Sequence, residues 1–146
     1  MTPIIIDSKE PPIGSVIFLH GLGADGSDFK EIFTRSQFNK IRFVLPHAPY
    51  QSVTMNQGFE MRAWYDLYDL SSEKDDDERG MERSSTFIDK LIEEQILLGI
   101  KPEKIIVGGF SQGAAMSFYL GLKHPKRLGG IAALSGYLPL KERLLE

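Results

Sequence analysis

Four short apolar runs constrain most strongly how this chain folds. They cover residues 15–19, 41–46, 103–110 and 130–136, and each contains Val or Ile. Continuous apolar runs of this length are typical of strands that are buried on both faces, as in parallel sheets. Because helical patterns lie between them, they predict an α/β protein with a mainly parallel sheet and helices on both faces.

The segments between these runs predict three helices. Apolar residues at helical spacing predict a helix over residues 27–38, with Ser27 or Asp28 as its cap. A second helix, over residues 81–100, ends at Gly99, and its apolar side consists of Ile88, Leu91, Ile92 and Ile96. A third helix covers residues 111–124. Residues 4–6 predict a short first strand, and residues 47–80 an irregular segment.

Composition excludes several function classes. The 146 residues are 42% hydrophobic and 25% charged, which predicts one globular domain over residues 1–146. A net charge of -3 is too mild to indicate nucleic acid or an anionic membrane as the main partner. The absence of cysteine excludes disulfides, a thiol nucleophile and thiolate-bound metal. The acidic run over residues 73–78 predicts solvated surface, and no metal site is expected.

Hydropathy predicts a soluble protein. No apolar run approaches the roughly 20 residues that span a bilayer. The first residues, MTPIIIDSKEPP, lack the basic and apolar regions of a secretory signal. We therefore expect a cytoplasmic protein without an integral membrane segment.

The segment GGFSQGA carries the strongest chemical signal. Residues 109–113 read G-x-S-x-G between a predicted strand and a predicted helix. A serine on such a turn is held in a strained conformation with its hydroxyl clear of the backbone. The flanking glycines let neighbouring chain pass close, and the helix start offers N–H groups to a developing oxyanion. We predict Ser111 as a nucleophile; the alternative is an ordinary turn with a capping serine.

A second glycine pattern follows the first core run. Gly21, Gly23 and Gly26 form G-x-G-x-x-G, which is also the pattern of a dinucleotide phosphate loop. That fingerprint needs an acidic residue at the end of the next strand, and FVLPHAP has none. A nucleophile elbow instead takes one oxyanion donor from the residue after the serine, here Gln112, and another from an earlier glycine loop. Leu22 is the candidate there, and no cofactor is expected.

The motifs LHGLGADG, PHAP, MRAWYD, GGFSQGAAMS and GGIAALSGYLPL occur in this order over nearly the whole chain. Together they resemble the acyl-protein thioesterase/carboxylesterase family of α/β-hydrolases, which are three-layer sandwiches. The resemblance implies a serine hydrolase of carboxylic esters or acyl thioesters, with Ser111 as nucleophile and the N–H groups of Leu22 and Gln112 as oxyanion donors. It also implies that Met61 and Trp64 wall the acyl pocket, although core packing equally accounts for Trp64. Whether the leaving group is a thiol, an alcohol or a lysophospholipid stays open.

A serine needs a base, and that base needs an orienting acid. In this fold the acid and the histidine follow the serine, and only His124 does so here. A helix over residues 112–124 places His124 roughly 20 Å from Ser111, as a solvated helix-end residue. His47 is assigned to loop structure, and His20 either supports the loop or acts as the base.

The resemblance places the acid and the histidine in two loops that follow the strand ending near residue 138, and no residue here matches them. We therefore expect the N-terminal two-thirds of a hydrolase: a fragment, a truncated gene product or part of a longer chain. The strand at residues 130–136 is then an exposed apolar edge. The chain alone is expected to be weak or inactive, and the alternative function is a non-catalytic remnant or acyl-binding module.

Overall fold

The computed structural model describes residues 1–69 and 76–146. The strands are β1 (Ile4–Ile6), β2 (Gly14–Leu19), β3 (Ile41–Leu45), β4 (Tyr50–Val53), β5 (Phe59–Arg62), β6 (Ile105–Phe110) and β7 (Gly130–Leu134). The helices are α1 (Lys30–Phe33), α2 (Glu78–Leu97), α3 (Gln112–Lys123) and α4 (Lys141–Leu144). Short 3-10 helices cover Ser36–Phe38, Thr54–Asn56 and Pro102–Lys104.

Five strands form the main sheet, in the order β1-β3-β2-β6-β7. The pairs β3–β2, β2–β6 and β6–β7 are parallel, and β1 alone lies antiparallel, on β3. The mainly parallel sheet predicted from the apolar runs is confirmed. Leu19 lies opposite Gly109 in the register, so the chain leaves β2 and β6 at adjacent points. This register brings the segment after Leu19 beside the segment after Phe110.

The two faces of the sheet are covered unequally. On one face α2 and α3 pack over fully buried strand residues such as Ile17, Leu19 and Val107. On the other face, Phe18 and Phe43 pack with α1 and its neighbouring aromatic rings. Within the described residues, helical cover on this second face consists of α1 and the 3-10 turn Ser36–Phe38, whose Phe38 ring packs on Phe43. Three side chains of this face are 36–47% exposed: Ile106, Phe110 and Leu134.

Helix α1 is shorter than predicted. It begins at Lys30, and neither Ser27 nor Asp28 caps it. The side chain of Asp25 accepts the Ser27 N–H at 2.7 Å, which holds this stretch in a turn. Extended backbone at Arg35 then separates α1 from the next 3-10 turn. The predicted cap is therefore wrong, because local side-chain hydrogen bonding competes with the helix.

Helix α2 is longer at its start than predicted. It begins at Glu78 because the Asp77 side chain caps it, accepting the Gly80 N–H. It ends just before Gly99, whose φ is 94°. The acidic run therefore supplies a helix cap at Asp77, while residues 73–75 of that run lie outside the described part of the chain.

An antiparallel hairpin of β4 and β5 occupies part of the segment predicted to be irregular. Tyr50 pairs with Arg62 and Val53 with Phe59, and the turn has positive φ at Gln57 and Gly58. The prediction is wrong here because both strands lie largely on the surface, where no alternation of buried apolar residues marks them.

Residues 1–69 and 76–146 contain neither a membrane-crossing helix nor a cluster of metal ligands. None of the helices there has both the length and the apolar character of a membrane-crossing segment. No group of three or more His, Cys, Asp or Glu in that part of the chain is arranged to hold a metal ion.

Candidate active site

Ser111 is the single residue between β6 and α3. Its φ of 55° and ψ of -115° lie outside the regions that residues with a Cβ normally adopt. Its N–H donates to the Leu134 carbonyl at 2.9 Å, and its carbonyl accepts the Ala115 N–H at 3.1 Å. Its side chain makes no capping hydrogen bond, so the capping alternative is wrong. The backbone is held on both sides, and the half-buried hydroxyl is left for other chemistry.

The glycines of the G-x-S-x-G turn are required by close backbone contacts. A Cβ on Gly113 would lie 2.1 Å from the Leu19 carbonyl oxygen and 2.6 Å from that of His20. A Cβ on Gly109 would lie 2.4 Å from the Gly113 carbonyl carbon. Such distances exclude any side chain. The predicted close passage of neighbouring chain is confirmed, and the end of β2 is the chain that passes.

The strained backbone of Ser111 implies that glycine at this position would stabilise the fold. Ser111→Gly is expected to raise the free energy of unfolding by about 1 kcal/mol, because glycine adopts this φ and ψ without strain. Urea unfolding followed by circular dichroism measures the change. Ser111→Ala keeps a Cβ and is the control, with little change expected. Equal stability of the two variants would show that the turn holds no strain.

The loop after β2 lies directly against the elbow. A Cβ on Gly21 would be 3.6 Å from the Ser111 Cβ. The Gly23 N–H donates to the Arg62 carbonyl at 2.8 Å, which fixes the loop to β5. Within residues 1–69 and 76–146, no group accepts a hydrogen bond from the N–H of Leu22 or of Gln112. This geometry brings two unused donors to the loop and helix start that flank Ser111.

His20 is a fully engaged, neutral residue. It is 2% exposed, its Nε2 accepts the Ala48 N–H at 3.0 Å, and its Nδ1 lies 2.7 Å from the Gly21 carbonyl. Because an N–H can only donate, the ring proton lies on Nδ1 and is donated to Gly21. Burial lowers the pKa of the ring below its ordinary value. His20 therefore supports the loop, in agreement with the first of its two predicted roles.

The other two histidines also have structural partners. His47 lies in the loop after β3, and its Nδ1 accepts the Gly26 N–H at 3.0 Å. His124 is the C-cap of α3, at the opposite end of the helix from Ser111. Its side chain is only 2% exposed, with Nε2 3.8 Å from Asp89 Oδ1, so the prediction of a solvated residue is wrong. None of the three histidines makes a described hydrogen bond to Ser111.

Gln112 has a role that the sequence did not indicate. Its buried side chain accepts the Trp64 N–H at 2.9 Å through Oε1 and donates to the Tyr65 carbonyl at 2.9 Å through Nε2. The start of α3 is thereby tied to the segment after β5. The sequence predicts a role only for the backbone N–H of Gln112. The signal available was a polar residue at the start of an otherwise apolar helix.

Trp64 is a core residue that connects three parts of the site. It is 1% exposed, and its indole N–H donates to the His20 carbonyl at 2.8 Å. Its own carbonyl accepts the Ser84 hydroxyl of α2. The Trp64 side chain is therefore buried almost entirely by core packing. Met61 lies on β5, half-buried, with its sulfur 3.8 Å from where a Gly23 Cβ would be.

Two phenols extend this network towards α4. Tyr65 Oη lies 2.7 Å from Tyr137 Oη, which donates to Asp76 at 3.1 Å, and Asp76 also accepts the Leu140 N–H. Burial raises the pKa of Tyr137 to about 12, and it raises that of Tyr65 as well. Both phenols are therefore neutral and serve to join the segment after β5 to the chain that follows β7.

The chain is similar in sequence and in fold to known proteins. The family model for phospholipase/carboxylesterase matches residues 1–146. The chain is 42% identical to acyl-protein thioesterase 1 of Schizosaccharomyces pombe over 144 residues, covering 98% of this chain and 64% of the relative. It is 43% identical to acyl-protein thioesterase 1 homolog 1 of Dictyostelium discoideum over 136 residues, covering 90% of this chain and 60% of the relative.

Solved structures agree with the sequence relatives. The crystal structure of Zea mays acyl-protein thioesterase 2 superposes with a TM-score of 0.83 at 29% identity, covering 97% of this chain and 64% of that one. This confirms the predicted α/β-hydrolase fold. The chain spans between 60% and 64% of the length of the two curated relatives above. With its full length matched, the chain belongs to the phospholipase/carboxylesterase family.

Proposed function

We propose that this chain is the nucleophile-bearing part of a serine hydrolase that cleaves carboxylic esters or acyl thioesters. Ser111 Oγ attacks the acyl carbonyl, and the N–H groups of Leu22 and Gln112 hold the resulting oxyanion. One observation carries the proposal: the strained Ser111 backbone stands beside the Gly21 loop, with two N–H donors unused by the described residues. That arrangement matches the geometry of acyl transfer.

The reaction has two steps. In the first, the Ser111 oxygen–acyl bond forms, the serine proton passes to a base, and the thiol or alcohol leaves with a proton. In the second, water attacks the acyl-enzyme, the carboxylic acid is released, and Ser111 regains its proton. Because His20 is engaged at both ring nitrogens and His124 caps the far end of α3, we propose that residues outside this chain supply the base and its acid.

The names of the relatives support an acyl group as the transferred unit. Two of them are called acyl-protein thioesterases, which favours substrates in which an acyl chain is joined to a protein or a small molecule. Met61, half-buried beside the glycine loop, is the proposed apolar contact for that chain, whereas Trp64 is buried in the core. No metal or cofactor enters the proposed reaction.

Fluorophosphonate labelling tests the nucleophile. We expect slow formation of one adduct on the purified chain, because oxyanion donors alone retain part of the catalysis. Added imidazole, a mobile base, is expected to accelerate labelling, and Ser111→Ala to abolish it. Intact mass measures the adduct, and peptide mapping locates it. Labelling that survives Ser111→Ala would overturn the assignment of the nucleophile.

The alternative is an acyl-binding module without chemistry. Its support is that the Ser111 hydroxyl is not hydrogen-bonded to any histidine within the described residues. Under this alternative the chain binds acyl chains equally well with Ser111 or with Ala at this position, and imidazole does not accelerate labelling. The labelling experiment therefore separates the two functions.

A further inference from the structure

A cavity lies on the α2 side of Trp64. It has a volume of about 610 Å³, within the range of small-molecule sites. It opens between the start of β4, the end of β5 and the middle of α2, and Ser111 is not among its lining residues. Of its apolar lining residues, Phe87 is half-buried, whereas Ala48 and Trp64 are at most 1% exposed. The cavity is thus distinct from the elbow, although Trp64 borders it.

The charged groups of this cavity are all basic. Arg62 and Arg83 line it together with His47, and no described lining residue is Asp or Glu. Burial and the nearby Arg62 charge lower the pKa of His47, so the two guanidinium groups carry the positive charge at neutral pH. A concentration of positive charge in a chain with a net charge of -3 is selective for anions.

The Arg62 guanidinium is positioned and has no acidic partner. Its Nη1 donates to the Ala48 carbonyl at 2.7 Å, and the group stacks on the Tyr50 ring at 4.5 Å from the ring centre. Its Nη2 faces only the sulfur of Met1, at 3.2 Å. Thioether sulfur is a weak acceptor that an oxyanion outcompetes. Within the described residues neither Arg62 nor Arg83 forms an ion pair.

We propose that this cavity binds a small amphiphilic anion, with its carboxylate or phosphate headgroup between Arg62 and Arg83 and its alkyl chain on Phe87. A planar guanidinium matches either headgroup, and the partly exposed Phe87 ring offers apolar contact to a short alkyl chain. The cavity is a site separate from the one at Ser111, so this proposal stands whether or not Ser111 is the nucleophile.

Fluorescence titration tests the site, because Trp64 is the chain's one tryptophan and borders the cavity. The probes are octanoate, octyl phosphate and neutral octanol, each below its micellar concentration. We expect saturable binding of an anionic probe and binding about tenfold weaker for octanol, since charge-assisted hydrogen bonds are lost. The stronger of octanoate and octyl phosphate identifies the headgroup. Equal affinity for octanol and both anions would overturn the proposal.

Three variants locate the binding. Arg83 lies on the exposed face of α2. The substitution Arg83→Gln is therefore expected to keep the fold and to weaken anion binding about tenfold. Arg62→Gln is expected to weaken it similarly. Arg79→Gln, an exposed arginine of the same helix that does not line the cavity, is the matched control and should change nothing. Unchanged affinity in Arg83→Gln, or equal loss in Arg79→Gln, would overturn the assignment.

Backbone amide NMR separates this site from the elbow. Octanoate or octyl phosphate is expected to shift the amide signals of residues 47–50 and 83–87, which border the cavity. The signals of residues 20–23 and 111–113 should move less. The reverse pattern would place the anion at the elbow and would overturn the proposal.

Discussion

Purified on its own, the 146-residue chain is expected to hydrolyse a p-nitrophenyl ester at least roughly a thousandfold more slowly than Schizosaccharomyces pombe acyl-protein thioesterase 1. The reason is that Ser111 has no described base, whereas the proposed oxyanion donors, the N–H groups of Leu22 and Gln112, remain. Loss of the base is a loss of transition-state stabilisation, so kcat/KM reports it directly. Absorbance of the released nitrophenol, with both proteins at the same pH, provides the comparison.

Two controls show which part of the measured rate depends on Ser111 and which part of the deficit comes from the missing base. Ser111→Ala measures the background that does not depend on the nucleophile, and added imidazole measures how much of the deficit a mobile base restores. Turnover within tenfold of the reference enzyme would mean that this chain contains a competent base. A histidine displaced from its described partners would then have to fill that role, and mutation of His20 and His47 in turn would identify it.

The second large effect concerns Gly113. Gly113→Ala is expected to lower the free energy of unfolding by about 3 kcal/mol, because the new methyl group meets two backbone carbonyls that have no room to move. The clash outweighs the gain of about 1 kcal/mol that alanine normally brings to a helix. Urea denaturation gives the change, and the labelling rate of Ser111 reports whether the surviving folded protein keeps its elbow.

The matched control for this substitution is Gly130→Ala. A Cβ on Gly130 meets nothing within 4 Å, and this glycine is not among those with positive φ. The free energy of unfolding of the Gly130→Ala variant is expected to differ from that of the unchanged chain by less than about 0.5 kcal/mol. If Gly113→Ala were as stable as Gly130→Ala, the close passage of β2 beneath the elbow would be refuted.

The main sheet was predictable because its strands are continuous apolar runs. Residues buried on both faces of a sheet must be apolar, and this leaves a clear mark on the sequence. The position of Ser111 was predictable for a related reason. The glycines beside it are required by a close backbone contact with β2, and such a contact excludes residues that have a side chain.

The hairpin and the first helix were less predictable because their structure depends on neighbours. Strands β4 and β5 pair mainly with each other at the surface, and the Asp25 side chain shortens α1 through a local turn. The side-chain role of Gln112 depends on where Trp64 lies, and spacing along the chain does not contain that information. The buried contact of His124 with Asp89 likewise depends on how α2 packs against α3.

The hydrogen bond between Ser111 and β7 makes the conformation of the turn at Ser111 depend on whether the edge of the sheet stays closed. The Ser111 N–H donates to the Leu134 carbonyl, and β7 is one of the two edge strands of the described sheet. Outer strands open at lower free energy than central ones, well before global unfolding. When the end of β7 detaches, the amide of Ser111 loses its acceptor and exchanges with solvent. A residue that the fold holds in a strained conformation is therefore held by an edge strand, which opens more readily than the central strands.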